Sequence, residues 1–208
     1  MPDPEKVQFG CGLCAPEGWT NFDSSATVRL QRIPVVGRHL RPTGVHFPRN
    51  IRLGDIVRGL PVPAGSCRLM YCSHVLEHLT YPEVGTALRN VHGYLRPGGV
   101  FRLVLPDLEA MITQYLADPP ETRAERFVAS LLMEGFRRRP GLRGGIQTMY
   151  SNEGHRSQWD FDGMRRALID AGFRQIRRAK FGDAADPAFR EVEDQSRWDG
   201  ALGVEAIR

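Results

Sequence analysis

The stretch from Met70 to Leu105 constrains the fold more than any other. A short apolar run ends at Cys72, and a polar turn follows at Ser73 and His74. Apolar residues then recur at Val84, Ala87, Leu88, Val91, Tyr94 and Leu95, the spacing of a helix with one buried face. Pro97-Gly98-Gly99 is expected to stop that helix, and Val100 to Leu105 is a second apolar run. Strand, helix and strand make a βαβ unit, which joins parallel neighbours in one sheet. Open sheets of this kind bind ligands beyond the carboxyl ends of their strands. Ser73, His74, Glu77 and His78 stand at one such end, and Pro106-Asp107 at the next.

Upstream, Lys6 to Phe9 is a strand candidate that runs into Gly10-Cys11-Gly12, where backbone can approach a ligand closely. Gly18 to Asp23 reads as a second strand that ends in an acid. A glycine loop on the first strand and an acid closing the second is the arrangement that holds a ribose diol, because a carboxylate accepts from both hydroxyls. The acid comes so soon after the loop that the intervening helix must be short or missing. Val28 to Ile33 begins a helix that Pro34 breaks, and Ile51 to Asp55 is a third strand candidate, again ending in an acid.

Downstream of Asp107, two helical stripes occupy 108–116 and 124–132. Residues 137–158 hold four glycines and one proline with little periodicity, long enough to suggest a functional loop or lid. Asp160 is placed to cap a helix carrying Phe161, Met164 and Leu168, with Gly172 just past its end. Phe173 to Phe181 and Leu202 to Ile207 supply the last two strands.

A chain of 208 residues suits one domain. No apolar run approaches bilayer-spanning length, and the first residues lack a signal pattern, so a cytoplasmic location is expected. The net charge of +4 does not by itself indicate a nucleic-acid partner. Basic residues cluster at Arg137 to Arg139 with Arg143, and from Arg165 to Lys180. They read as a solvated face, or near the 137–145 loop as attraction for an anionic substrate. Cys11-Gly-Leu-Cys14 has a metal or redox spacing, but Cys67 and Cys72 are five positions apart. On a strand, odd spacing sends those two to opposite faces. His74-Val-Leu-Glu77-His78 matches an inverted zinc-protease signature. It starts in a turn, Thr80-Tyr-Pro82 interrupts it, and no distal third ligand is evident. No metal is expected, and Glu77 and His78 are expected to hydrogen-bond the loop backbone.

Taken in order, these segments resemble the class I S-adenosylmethionine-dependent methyltransferases, close to the small bacterial group called type 11. The matching pieces are Val7 to Gly12, Gly18 to Asp23, Gly54-Asp55 before Leu60-Pro61, Ser73 to Leu79, Leu95 to Gly99 running into Val104 to Glu109, and Asp170 to Phe173. Two departures stand out: Cys14-Ala15-Pro16 where a third glycine is usual, and Arg68 where the fourth strand usually opens with an acid. The resemblance implies an α/β, Rossmann-like sheet of seven mostly parallel strands, helices on both faces and the last strand antiparallel. Residues 1–208 would form one methyltransferase domain. The resemblance also implies roles for residues. Phe9, Gly10, Cys11 and Gly12 would approach the methionine part of S-adenosylmethionine, Asp23 the ribose, and Asp55 and Ile56 the adenine. Ser73 and His74 would sit near the sulfonium or the acceptor.

His74 and His155 are the candidate bases, since a neutral imidazole is available near pH 7. His155 precedes the aromatic-acid pair Trp159-Asp160, and Met149, Tyr150 and Trp159 either line an acceptor pocket or belong to the core. The expected acceptor is small or sugar-like, since no separate nucleic-acid domain is present. The rival reading is a non-catalytic protein of the same fold that holds the cofactor, or a partner subunit.

Overall fold

The computed structural model describes residues 5–34, 46–132 and 154–208. Its seven strands are β1 (Lys6–Phe9), β2 (Thr20–Asp23), β3 (Ile51–Leu53), β4 (Cys67–Ser73), β5 (Leu95–Pro106), β6 (Arg174–Ala179) and β7 (Ala201–Ile207). They form one sheet in the order β3-β2-β1-β4-β5-β7-β6. Strands β1 to β5 are mutually parallel, and β7 runs antiparallel to both β5 and β6. The expected sheet is therefore present, and its parallel part puts the ends of β1 to β5 along one edge.

The βαβ unit is built as its pattern predicts. Helix α2 (Tyr81–Tyr94) buries Val84, Ala87, Leu88 and Val91. At its start, the Thr80 backbone N–H and hydroxyl both donate to Glu83 Oε2, at 2.9 and 2.8 Å, occupying donors the first turn leaves free. Pro97-Gly98-Gly99 does not end this helix. Leu95 already pairs with Cys67 of β4, and Gly98, at φ +77°, turns its N–H onto the Arg208 carbonyl at 3.1 Å. The ladder is irregular between Cys67 and Leu69. That irregularity rotates Cys67 onto the face of Met70 and Cys72, so the two cysteines share a face instead of opposing each other.

On that face α2 and α5 (Phe161–Asp170) cover a core of Val7, Phe9, Phe22, Met70, Phe101, Leu103 and Val204. Asp160 caps α5 by accepting from Gly163 N at 2.8 Å, and Gly172 takes φ +102° beyond it. The opposite face is covered differently from expectation. Helix α1 (Ala26–Gln31) seats Val28 against Cys11 and Ile51 at the β3 edge. Helix α3 (Leu108–Ala117) buries no residue and contacts α4 (Arg123–Leu132). Over β4, β5 and β6 the cover is Trp19, Phe189, Val192 and Trp198, most of it from a segment with two 3₁₀ turns, Pro187–Glu191 and Gln195–Arg197. Gly203 of β7 permits this, because a Cβ there would lie 2.2 Å from the Trp198 ring.

No helix joins β1 to β2, as their short separation requires. The connecting residues instead drape over a buried amide pair. Gln8 Nε2 donates to Asn21 Oδ1 at 2.6 Å and to the Cys14 carbonyl at 2.7 Å, and Asn21 Nδ2 donates to the Pro16 and Trp19 carbonyls, both at 3.0 Å. Among the described residues, no helix is long and apolar enough to cross a membrane.

Beneath the 3₁₀ segment lies Arg102 of β5, fully buried. Its guanidinium meets Glu193 at 2.5 Å, Asp183 at 2.9 Å and Glu205 at 3.1 Å, donates to the Lys180 carbonyl at 2.6 Å, and stacks 4.7 Å from the Trp198 ring centroid. Removing one member of a buried charge network strands the others. Arg102→Leu should cost about 3–5 kcal/mol in urea denaturation, and a loss below about 1 kcal/mol would show that the network does not hold this face.

Candidate active site

Because β1 to β5 are parallel, Gly10 to Gly12, Asp23, Asp55, Ser73 with His74, and Asp107 all follow strand ends on one edge. Gly10 and Gly12 adopt φ +62° and +55°, a region that costs an L-residue about 1–2 kcal/mol. A Cβ on Gly10 would also lie 2.2 Å from Val75 Cγ2, so the loop after β4 presses on the loop after β1. Gly12 faces open space, the nearest atom to such a Cβ being Arg197 Nη2 at 4.0 Å. Asp23 is buried. Its Oδ2 accepts from Gly12 N at 3.1 Å and its Oδ1 from Ser25 N at 2.8 Å, which ties the glycine loop to β2 and leaves each oxygen a further lone pair.

Phe9 and Ile56 lie in the core, and Cys11 packs against Val28 and Ile51, so only their backbones are available to a ligand. Burial, with the nearby Asp23 carboxylate, pushes the Cys11 thiol up to about 12. Asp55 Oδ1 accepts from Val57 N at 2.9 Å and shapes a turn that Asn90 and Tyr94 of α2 hold, bonding Ile56 O and Leu60 N, each at 2.8 Å. Arg68, standing where an acid is usual, pairs with Asp186 of the covering segment and so serves packing.

His74 takes φ +54° and opens a tight turn into the 3₁₀ turn Leu76–His78. The chain returns to this turn from far away in sequence. Arg156 N and Ser157 N donate to the Glu77 carbonyl at 2.7 and 3.2 Å, and Ser157 Oγ donates to the Leu76 carbonyl at 3.3 Å. Trp159 belongs to the core, its Nε1 donating to Ser157 Oγ at 2.9 Å. His155 is thereby set edge-on to His78, with ring centroids 5.3 Å apart. The rest of the 137–158 loop up to residue 153, with Met149, Tyr150, Arg138, Arg139 and Arg143, lies outside the described residues.

Both candidate bases thus converge on one buried carboxylate, that of Glu77. Contrary to expectation, neither of its oxygens hydrogen-bonds the loop backbone. His74 Nδ1 stands 3.2 Å from Oε1, at ion-pair distance but outside hydrogen-bond geometry. Part of the His-x-x-Glu-His pattern does gather with a distant residue: ligand atoms of Glu77, His78 and His155, without His74, lie within 4.8 Å of one another. Sequence spacing carried no signal for that third member. Nor did it disclose Arg197, which sits beside Gly12 and whose carbonyl faces His74 Nε2 at 3.0 Å.

The two histidines differ in basicity. Burial works to lower the His74 pKa, but Glu77 and the Arg197 carbonyl outweigh it, and the net shift is upward. A carboxylate on one nitrogen and a carbonyl at the other both favour the imidazolium. Burial lowers the His155 pKa, with His78 and His74 adding to it against the pull of Glu77. Of the two, His155 is thus the more readily deprotonated and His74 the more readily protonated. Proton uptake at His74 favours the folded chain and is lost as pH rises through its raised pKa. Uptake at His155 opposes folding as pH falls through its lowered one. In a histidine NMR titration with chelator present, His74 should titrate above about 6.5 and His155 below it. The reverse order would refute this electrostatic reading.

Residues 20–103 match the family described as Methyltransferase domain. Among solved structures, a S-adenosylmethionine-dependent methyltransferase from Thermotoga maritima, described as a possible histamine N-methyltransferase, superposes with a TM-score of 0.53 at 13% identity, covering 100% of this chain and 83% of its own. A S-adenosylmethionine-dependent methyltransferase from Archaeoglobus fulgidus gives 0.50 at 13% identity, covering 99% and 86%. PigF with SAH gives 0.50 at 16%, covering 97% of this chain but 50% of its own. No curated protein matches. The domain match and the sheet order define a class I methyltransferase fold. Residues 20–103 are thus similar to a methyltransferase domain, and the whole chain shares the fold of S-adenosylmethionine-dependent methyltransferases.

Proposed function

We propose that the chain transfers the methyl group of S-adenosylmethionine to an oxygen or nitrogen of a small or sugar-like acceptor. One observation carries this reading: Asp23, the glycine loop and the Ser73-His74 turn adjoin along one strand edge, with Gly12 open to solvent. In this reading the backbone of Phe9, Gly10, Cys11 and Gly12 faces the methionine part, and Arg197 offers its carboxylate a cation. Asp23 takes the ribose, the Asp55-Ile56 turn the adenine, and Ser73 with His74 the sulfonium end. The four free cysteines support a reducing, cytoplasmic setting.

The acceptor lone pair attacks the methyl carbon in line as the carbon–sulfur bond breaks. That bond's electron pair stays on sulfur, leaving S-adenosylhomocysteine. The proton lost by the acceptor goes to neutral His155, a contribution of about 10²–10⁴-fold when the acceptor is a hydroxyl. Holding donor and acceptor at attack distance supplies much of the remainder.

Asp23→Ala should weaken S-adenosylmethionine by about 1.5–3 kcal/mol in calorimetry, with thermal unfolding as the control for the lost tie to Gly12. His155→Ala should lower turnover to S-adenosylhomocysteine and leave cofactor affinity nearly unchanged. Unchanged affinity in a folded Asp23→Ala would remove Asp23 from the ribose site. Cofactor binding without turnover across hydroxyl and amine acceptors would favour the non-catalytic reading.

A further inference from the structure

Glu77 is the charged group that methyl transfer leaves without a task. Its side chain is 1% exposed, and neither carboxylate oxygen has a hydrogen-bond partner. A buried carboxylate in that state is costly unless a positive charge compensates it. Its surroundings are imidazoles. Among the described residues, Glu77, His78 and His155 are the one group of three or more His, Cys, Asp or Glu whose ligand atoms gather closely, all within 4.8 Å. His155 Nε2 is also buried without a partner.

We propose that Glu77, His78 and His155 form a binding site for a divalent first-row transition ion of the zinc class. Two imidazoles and one carboxylate are the donors such ions take in sites with an open position, whereas magnesium and calcium prefer oxygen alone. Metal–ligand bonds of about 2.0–2.2 Å put donors about 3–3.5 Å apart, so the side chains close by about an ångström on binding. Outer contacts of the orienting kind are in place. His78 Nδ1 faces the Gly154 carbonyl at 3.4 Å, and donation there leaves Nε2 its lone pair. His155 Nδ1 meets the Gln158 amide at 3.3 Å. The backbone bonds from Arg156 and Ser157 to the Glu77 carbonyl hold the two halves of the site together. The ion takes over from His74 as the counter-charge of Glu77. Its open position suits an acceptor oxygen or nitrogen, which it would acidify, so in the loaded protein the ion takes the place of His155 as base, because ligation occupies the Nε2 lone pair. That use rests on the proposed methyl transfer, whereas the binding does not.

The test is titration of the chelator-stripped full chain with Zn²⁺ by calorimetry and with Co²⁺ by visible absorption. One ion per chain is expected. Glu77→Gln, His78→Ala and His155→Ala should each weaken it by about 100-fold with circular dichroism unchanged, and Cys11→Ser with Cys14→Ser should bind as the parent does. Should Glu77→Gln unfold, the two histidine variants, at half-buried positions, decide. A parent without a saturable site, a site that survives both histidine variants, or one lost with the cysteines would overturn the proposal. S-adenosylmethionine affinity of the same stripped protein separates the two readings. Retained cofactor binding without ion binding refutes the metal site alone, and ion binding without cofactor binding refutes the cofactor reading alone.

Discussion

The buried Arg102 guanidinium is the interaction on which the active-site edge depends. A sheet needs an apolar layer on each face, and over β4, β5 and β6 the described residues supply few helical side chains. It lays a polar segment there instead, and Arg102 makes that possible. Glu193, Asp183 and Glu205 neutralise it, and Trp198 and Phe189 cover its planar faces. The consequence reaches the site through the backbone. Glu193 leads directly into the turn Gln195–Arg197, which sets Arg197 beside Gly12 and its carbonyl against His74. A charge cluster under the sheet thus helps position the carbonyl that meets His74 at its edge.

The other determinant is the end of β4. His74 spends a left-handed backbone conformation to reverse the chain tightly, and the reversal points Glu77 inward, where water does not reach it. The 154–159 strand-like strap then closes the turn by bonding Glu77 and Leu76 carbonyls and by extending beside Asp107. This arrangement separates the two histidines electrostatically. The carboxylate and the Arg197 carbonyl raise the His74 pKa, and burial lowers that of His155.

Much of the fold was legible because it rests on local chemistry. The α2 stripe, the Asp160 cap with Gly172 and the missing helix before Asp23 follow from spacing and turn residues, whereas the antiparallel last strand came with the family resemblance. What escaped depends on long-range contact. The irregularity at Cys67 is invisible to an alternation rule, so the cysteine faces came out wrong. Nothing in the pattern of residues 183–198 reveals that Arg102, 0% exposed, awaits their acids. The His-x-x-Glu-His pattern was seen, but its third partner sits 77 positions after Glu77's neighbour His78, beyond the reach of any spacing argument. The proposed cofactor residues were legible as strand-end positions more than as side chains, since Phe9, Cys11 and Ile56 turn inward.

The central claim is that the strand edge running from Gly10 to Ser73 holds the cofactor. Amide chemical-shift mapping of the isotope-labelled chain with S-adenosylhomocysteine tests it most directly. The account predicts saturable shifts at Gly10, Gly12, Asp23, Asp55, Ile56 and Ser73, with α3 and α4 unperturbed. Shifts confined to α3 and α4, or none along that edge at saturating ligand, would contradict it.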